Sequence, residues 1–518
     1  MKIFNYLVQT AKSYPNKLAF ISNTQKITFF DLKHKVEILA SKLLNNGLKS
    51  EQKVGVLANN SIEYVIIELA CAAIDAVVVP INPSMAKKDV IKQIKFTDIK
   101  CVFIWYSIFS DFEKNLLSMK INKKNLITLG KKIKNISYFD EILNTKKVKY
   151  KNNKINKNGE KPFLIILTSG STSKPKAIVF SQKTKLLRAF SSAETYNIKS
   201  SDILLMGTPI KQSISQRFIY LPIILGCTTR IMENFSVNFW IELIAKHKVS
   251  FSILVASQIK NISKMLKKRD ARLITLKKLV SCCAELDMKT KNTLIKKNVC
   301  KDFYDTYGAT ELGTVTNLNL SKYPLKKNTL GVPIKGVNIK ILDKNNFEIK
   351  KRNKRGMIAC KSNLIFSKYL KSNLKEKNSH NKYFKTGDIG FLDNQGFLHL
   401  TGREKDIIIV GGVNVFPEDI ERVLDSHSTI KKSAVIGIKD KRLGESILAL
   451  IILKKNINLN LVEIKKYCVK NLSDYQQPHK FIVVKRFPTG GYGKISKFKL
   501  RKKYKHLDLS KNIRRTFS

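Results

Sequence analysis

The stretch VGVLANNSIEYVIIELACAAIDAVVVPI, residues 54–81, decides the fold class. Its first five residues, VGVLA, are a short apolar run of strand character. Ser61 then stands where a helix N-cap belongs, with a hydroxyl able to accept from an early helical N–H. Ile62, Val65, Ile66 and Leu69 follow at helical spacing. AVVVPI, residues 76–81, is a second apolar run. Strand, helix and strand with tight links predict a βαβ unit and a parallel sheet.

Outward from this unit the pattern repeats. Upstream, a helical stretch ends at Asn46-Gly47, where Gly suits the position after the last helical turn. Downstream, CVFIWY (101–106) reads as another buried strand inside a Lys- and Asn-rich segment. FLIIL (163–167) is a strand that runs into a loop of small residues. FSILVA (251–256) and KKLVSCCA (277–284) resume the alternation with helices. Between 330 and 400, short strands and turns suggest an all-β subdomain. After TGREKD (401–406) comes a compact module in the order IIIVGG, PEDIERVLDS, SAVIGIKD, ILALIILKK, LVEIKKYCVKNL, KFIVVKRF, which predicts a small α+β domain. The basic residues after 505 read as a loose tail.

A chain of 518 residues suggests two to four structural units. Its 43% hydrophobic content is enough for a sizeable core. The formal net charge of +57 invites a nucleic-acid reading. Lys far outnumbers Arg, however, and the first 150 residues hold no Arg, the residue that bidentate phosphate and base-edge recognition favours. Lys, Asn and Ile are enriched together, as in a chain drifting toward AT-rich codons. The charge therefore predicts nonspecific attraction of polyanions rather than specific nucleic-acid binding. The eight cysteines form no CxxC pair and no Cys/His cluster, and read as buried small hydrophobes in a reducing compartment. The first residues lack the layout of a signal peptide. The most apolar stretch, 62–81, is broken by Glu63, Glu68 and Asp75, so no transmembrane segment is expected. A cytoplasmic protein is the expectation.

Five local motifs carry chemistry. Leu167-Thr-Ser-Gly-Ser-Thr-Ser-Lys-Pro-Lys176 empties a strand into small and hydroxyl residues. Backbone N–H groups there can approach a phosphate closely, and Lys supplies charge. The loop is not a Walker A motif, since no GK[ST] closes it. Then come Tyr307-Gly-Ala-Thr-Glu311, Thr386-Gly-Asp388, Gly402-Arg-Glu-Lys-Asp406, and Pro488-Thr-Gly-Gly-Tyr-Gly-Lys494. Taken singly, each also reads as an ordinary turn, linker or loop. Their order and separations together are another matter.

In that order they resemble the adenylate-forming superfamily of acyl- and aryl-CoA synthetases, peptide-synthetase adenylation domains and luciferases. The resemblance runs from about residue 10 to about 505. It implies an α/β fold with a large N-terminal domain, 1–403, of two doubly layered α/β subdomains and a small β-barrel subdomain. A small mobile α+β C-terminal domain, 404–505, and a basic tail, 506–518, would follow. It implies that Thr168, Ser169, Gly170, Ser171, Thr172 and Lys176 cradle the ATP phosphates. Tyr307, Gly308, Ala284, Glu285 and Leu286 would line the adenine pocket. Thr310 would reach the α-phosphate, Glu311 would bind Mg²⁺, and Asp388 and Arg403 would hold the ribose hydroxyls. Lys494 would bridge carboxylate and α-phosphate while both are anionic, offsetting charge in the transition state. Lys405 would be the hinge on which the C-terminal domain swings, and Gly411 and Gly412 would border a thiol tunnel.

Three departures stand out: Ser173 and Ala177 where the superfamily favours glycine, Tyr492 where a small residue is usual, and no aromatic-His pair in Thr208-Pro-Ile-Lys-Gln212. The expected reaction is ATP-dependent activation of a fatty or aryl acid and transfer to coenzyme A. The run KDIIIVGGVNVFPEDIE resembles acyl-CoA synthetases more than amino-acid activators. Two alternatives are loading of a separate carrier protein's phosphopantetheine, and a basic nucleic-acid-binding protein that has lost catalysis. The acid pocket is expected around Gln212 to Arg217, Ser281 to Ala284 and Gly308-Ala309.

Overall fold

Strands Lys53–Leu57 and Val77–Pro80 pair in parallel, with Val54 opposite Val78, and helix Ile62–Ala73 joins them. The Ser61 hydroxyl accepts from Tyr64 N–H at 3.2 Å and caps that helix. The structure is a computed structural model that describes residues 2–119, 121–145, 159–168, 176–370, 383–440, 442–454, 457, 459–489 and 495–507.

Among the described residues this pair belongs to an eight-stranded sheet ordered Lys368–Tyr369, Lys176–Ser181, Pro162–Thr168, Val77–Pro80, Lys53–Leu57, Ile99–Trp105, Leu126–Leu129, Ser137–Tyr138. A nine-stranded sheet holds Val332–Pro333, Gly313–Asn319, Asp302–Ala309, Lys278–Cys282, Phe251–Val255, Ile203–Met206, Thr228–Ile231, Leu18–Ile21 and Lys26–Thr28, in that order. Both sheets are covered on two faces, because the alternation of side chains along a strand sends apolar groups both ways. Val54, Val56 and Val78 enter a central core, whereas Leu57, Val77 and Val79 enter a core beneath helices Lys87–Thr97 and Tyr106–Ser118. Likewise Leu204, Met206 and Ile253 face the centre, and Leu205 and Leu254 face helices Val237–His247 and Ala256–Met265. Helices Phe29–Asn45, Ile62–Ala73, Gln182–Thr195 and Arg217–Leu225 fill the layer between the sheets. The result is helix, sheet, helix, sheet, helix.

The segment expected to be all-β forms an antiparallel sheet of Val337–Leu342, Gly356–Ser362, Phe384–Leu392 and Leu398–Arg403. Past Ile407 a separate sheet begins, ordered Val413–Val415, Ile408–Val410, Gly444–Leu453, Ile430–Asp440, with Lys480–Val483 parallel to Gly444–Leu453. Helices Pro417–Ser426 and Leu461–Asn471 cover one face through Ile420, Leu424, Ile464 and Cys468. Leu500 of helix Lys497–Tyr504 packs on the other face, against Ala434, Ile436, Leu448 and Leu450. Gly411 and Gly412, at φ 54° and 83°, form the two-residue turn between the first two strands. A tight hairpin of this hand needs positive φ at both central positions, which glycine adopts without strain. Among the described residues no helix is long and apolar enough to cross a membrane.

Candidate active site

The phosphate-loop motif sits at a hairpin whose root pairs Thr168 with Lys176 in the backbone. Ser169, Gly170, Ser171 and Thr172 lie outside the described residues, as does the Thr168 side chain. Lys176 is described, and its ammonium lies over the Tyr369 ring, 5.3 Å from the centroid. The Tyr369 hydroxyl in turn donates to Glu311 Oε1 at 3.2 Å. Tyr369 reaches this place because Lys368–Tyr369 adds to the sheet edge, opposite Ile178 and Val179. One aromatic side chain thus ties the loop's terminal lysine to the carboxylate of the second motif.

Glu311 and Thr310 occupy a turn after strand Asp302–Ala309 and are held by their backbone. Arg188 donates to the Thr310 carbonyl at 3.1 Å and to the Glu311 carbonyl at 2.9 Å, and Phe366 N–H donates to the latter at 2.8 Å. The Glu311 side chain is thereby left to point where strand pairing does not dictate. Gly308 is required just before this turn: a Cβ there would stand 2.1 Å from the Gly313 carbonyl oxygen of the neighbouring strand.

Tyr307 carries the third group. Its hydroxyl donates to Asp388 Oδ2 at 2.6 Å, and Arg403 Nε lies 3.2 Å from Asp388 Oδ1. Asp388 and Arg403 are cross-strand partners, and the Asp388 amide is turned by the Thr386 hydroxyl at 3.0 Å. Burial first, and the Asp388 charge second, push the Tyr307 phenol well above its ordinary value, so it serves as a donor. Parallel strands Lys278–Cys282 and Asp302–Ala309 run side by side, with Ser281 opposite Asp305. Ala284-Glu285 and Tyr307-Gly308 therefore leave the carboxyl ends of neighbouring strands, where open α/β sheets bind ligands. Gly308 and Glu285 are exposed at that rim.

Lys494 lies outside the described residues, but the base of its loop is described. Thr489 bridges to Ile495, and Ser496 N–H donates to the Pro488 carbonyl at 2.9 Å. Just beyond, Lys497 stands 3.0 Å from both Glu418 and Glu421, and Arg501 stands 2.9 Å from Asp406, one residue past Lys405. Arg355 pairs with Asp419 at 2.7 Å and lies over Phe416, joining the four-stranded sheet to helix Pro417–Ser426. Lys405 itself is exposed. Partial desolvation and the charges of Arg403 and Arg501 lower its ammonium's proton affinity, with Asp406 opposing.

Burial raises Glu421 to about 7, although Lys497 pulls the other way. The folded chain thus holds a proton there that the unfolded chain releases. The stability this contributes is complete below the ordinary carboxyl range and is lost as pH rises through about 7. Lys497→Met removes the opposing cation and pushes Glu421 further up. The expected result is a melting-temperature deficit that is larger at about pH 8 than at about pH 6, read by a thermal melt at each pH.

Tyr369 and Arg188 were not legible as site residues in the sequence. Each enters through a long-range contact, and no local motif surrounds either. Position Gln212, where the superfamily's aromatic-His pair is missing, has a buried Oε1 with no hydrogen-bond partner among the described residues. Asn60 organises this loop by donating to the Thr208 carbonyl at 3.0 Å and accepting from Ile210 N–H at 2.7 Å.

The sequence profile of the AMP-binding enzyme family matches residues 7–370, and that of the AMP-binding enzyme C-terminal domain matches 419–494. A 2–succinylbenzoate–CoA ligase of Bacillus pumilus is 26% identical over 509 residues, 97% of this chain and 98% of the relative. A mitochondrial medium-chain acyl-CoA ligase of Rattus norvegicus is 25% identical over 96% of this chain and 87% of its own length. The fold is that of the Bacillus subtilis o-succinylbenzoate CoA synthetase bound to its acyl-adenylate intermediate, at a TM-score of 0.83 and 23% identity, over 96% of this chain and 98% of that one. ATP-bound MatB from Rhodopseudomonas palustris superposes at a TM-score of 0.85 with 21% identity, over 98% and 99% of the two chains. With two family profiles in register and the adenylate-forming fold around its motifs, this chain belongs to the AMP-binding enzyme family and is an acid–thiol ligase.

Proposed function

We propose that this chain activates a carboxylic acid of the aryl or acyl type with ATP and then passes the acyl group to coenzyme A. The observation that carries this reading is the convergence of Lys176, Tyr369 and Glu311 beside the Tyr307–Asp388–Arg403 set. A lysine at the root of a hydroxyl-rich loop suits the β- and γ-phosphates. Tyr307, Asp388 and Arg403 suit a nucleoside: the carboxylate accepts from ribose hydroxyls while tyrosine and arginine hold it in place.

The donor set also fits a divalent cation. Glu311 is a lone carboxylate beside a phosphate site, and Mg²⁺ takes one or two carboxylates and fills the rest of its shell with phosphate and water. Bound there, Mg²⁺ would neutralise phosphate charge. In the first step a substrate carboxylate oxygen attacks the α-phosphorus, the bond to the bridging oxygen breaks, and pyrophosphate leaves. Lys494 offsets the charge of the two anions at that moment, and binding side by side removes the association entropy from the barrier. In the second step a thiolate attacks the acyl carbonyl and AMP leaves. We place the domain boundary at 403/404 and the hinge at Lys405, so that one pose presents Lys494 and the other brings Gly411-Gly412 to the thiol.

The relatives' names, 2-succinylbenzoate–CoA ligase and medium-chain acyl-CoA ligase, support an acid as substrate and coenzyme A as acceptor. The test is acid-dependent ATP–pyrophosphate exchange across a panel of aryl and acyl acids, followed by identification of the product with coenzyme A present. Exchange with some acid and release of acyl-CoA is expected. No exchange with any acid overturns the reading, and acyl-AMP without acyl-CoA overturns its second half.

A further inference from the structure

The strand Lys278–Cys282 ends at the ligand rim, just before Ala284-Glu285. Its parallel pairing sets Cys282 opposite Val255, and the Cys282 thiol donates to the Leu254 carbonyl at 3.4 Å. In a continuing strand the next side chain would point to the opposite face. Cys283 instead takes a left-handed backbone, at φ 69°, and the strand stops there. The two sulfurs lie 3.5 Å apart. Glycine adopts this backbone without strain, whereas a residue with a Cβ adopts it rarely. Strain of this kind persists only where the surroundings over-determine it, and it clusters at functional segments.

The two thiols are unequal. Of the eight cysteines seven are buried, and Cys283 alone is partly open to solvent. Cys282 is 2% exposed. The adjacent Cys283 sulfur first, and burial second, push the Cys282 thiol well above its ordinary value, with Arg217 opposing. Cys282 therefore stays protonated and sheltered, and Cys283 is the sulfur that a reagent meets. An open thiol in contact with a sheltered one is the arrangement of an attacked and a resolving cysteine.

We propose that Cys282 and Cys283 are a modification site, a vicinal dithiol that a hydroperoxide converts to a disulfide, and that the oxidised ring shuts off acid activation by shifting the Ala284-Glu285 edge of the nucleotide site. The second half rests on the acid-activating reading, and the first does not. The Cys283 sulfur attacks a peroxide oxygen, the O–O bond breaks, and with hydrogen peroxide one water leaves, so that Cys283 holds a sulfenic acid. The Cys282 sulfur then attacks the Cys283 sulfur and the S–O bond breaks. The Cys282 proton leaves with that hydroxyl as a second water. Two electrons pass from the sulfurs to the peroxide.

Adjacent Cα atoms across a trans peptide lie about 3.8 Å apart, short of the span of about 4.4–6.8 Å usual for a disulfide. The ring is therefore strained and is readily reduced again. Closing it turns the Cys282–Cys283 peptide and carries the next two residues with it.

The test treats the full-length enzyme with hydrogen peroxide, alkylates the remaining thiols and digests with trypsin, which releases both cysteines in one peptide, 279–289. That peptide is expected to lack two hydrogens and to carry no alkyl group, and pyrophosphate exchange is expected to fall about tenfold or more. Dithiothreitol is expected to reverse both changes. Cys283→Ser, compared with its own untreated rate, is expected to stay within about twofold after the same treatment. Cys282→Ala is expected to stop at a sulfenic acid on Cys283, trapped with dimedone. Two alkylated cysteines in 279–289 after treatment overturn the proposal, and so does a Cys283→Ser enzyme that loses exchange as steeply as the wild type. A disulfide that forms while exchange is unchanged overturns the shut-off. If Cys283→Ser fails to fold, the wild-type peptide and its reversibility decide alone. Untreated enzyme that exchanges with no acid overturns the acid-activating reading, while the peptide still decides the dithiol.

Discussion

Replacing Lys494 by Ala is expected to abolish adenylate formation from acid and ATP while leaving transfer from preformed acyl-AMP to the thiol largely intact. The reason is electrostatic. Two anions must come together in the first step, and an ammonium placed between them stabilises charge that exists only at that moment. Loss of one such donor costs about 10²–10³-fold in rate. In the second step the carboxylate's charge is already gone, so the same lysine has nothing to offset. Thiol transfer in the variant should stay within about threefold of wild type. The two half-reactions are measured separately, by pyrophosphate exchange and by acyl-CoA release from synthetic acyl-AMP. Equal loss of both would show that Lys494 supports the fold or the nucleotide site instead of the first step alone. Its loop makes that outcome informative: Thr489, Ile495 and Ser496 fix the base of the loop by backbone contacts.

The second large effect is expected at Glu311. Glu311→Gln keeps the shape, the Arg188 and Phe366 bonds to the backbone carbonyl, and a carbonyl oxygen for the Tyr369 hydroxyl. It removes only the charge. The melting temperature should therefore hardly move, whereas the adenylation rate should fall by about 10²-fold and its dependence on Mg²⁺ should shift to higher concentration. Tyr369→Phe is the control, because it removes one hydrogen bond to the same carboxylate and keeps the charge. A loss within about tenfold is expected there. An unchanged Mg²⁺ dependence in Glu311→Gln would place the cation elsewhere.

Much of the scaffold was legible because its signals are local. Ser61 before Ile62, Val65, Ile66 and Leu69 announces a capped helix, and the apolar runs on either side announce strands covered on both faces. The C-terminal module was legible for the same reason: the helices and strands expected after residue 406 appear in the expected order. The run IIIVGG reads as a strand; the strand stops at Val410, and Gly411 and Gly412 make a hairpin turn, the local solution for two positive-φ positions. Glu311, Asp388 and Arg403 stand out in the sequence as candidate site residues, since each sits in a short run of unusual chemistry.

What escaped is what depends on distant strands and helices meeting. Tyr369 stands in an unremarkable stretch and gains its place from a two-residue strand at a sheet edge. Arg188 and Arg217 are single basic residues in a Lys-rich chain, and periodicity alone puts them on ordinary helices. Only the packing of helices Gln182–Thr195 and Arg217–Leu225 between the two sheets brings both guanidinium groups to one cavity behind the Thr310–Glu311 turn. The sequence by itself determined that the chain has parallel βαβ layers, a separate C-terminal module and five motifs in one order, because hydrophobic period and turn chemistry act over a few residues. The tertiary structure alone decided which cations are buried side by side, because desolvation depends on neighbours that the chain brings together from far apart.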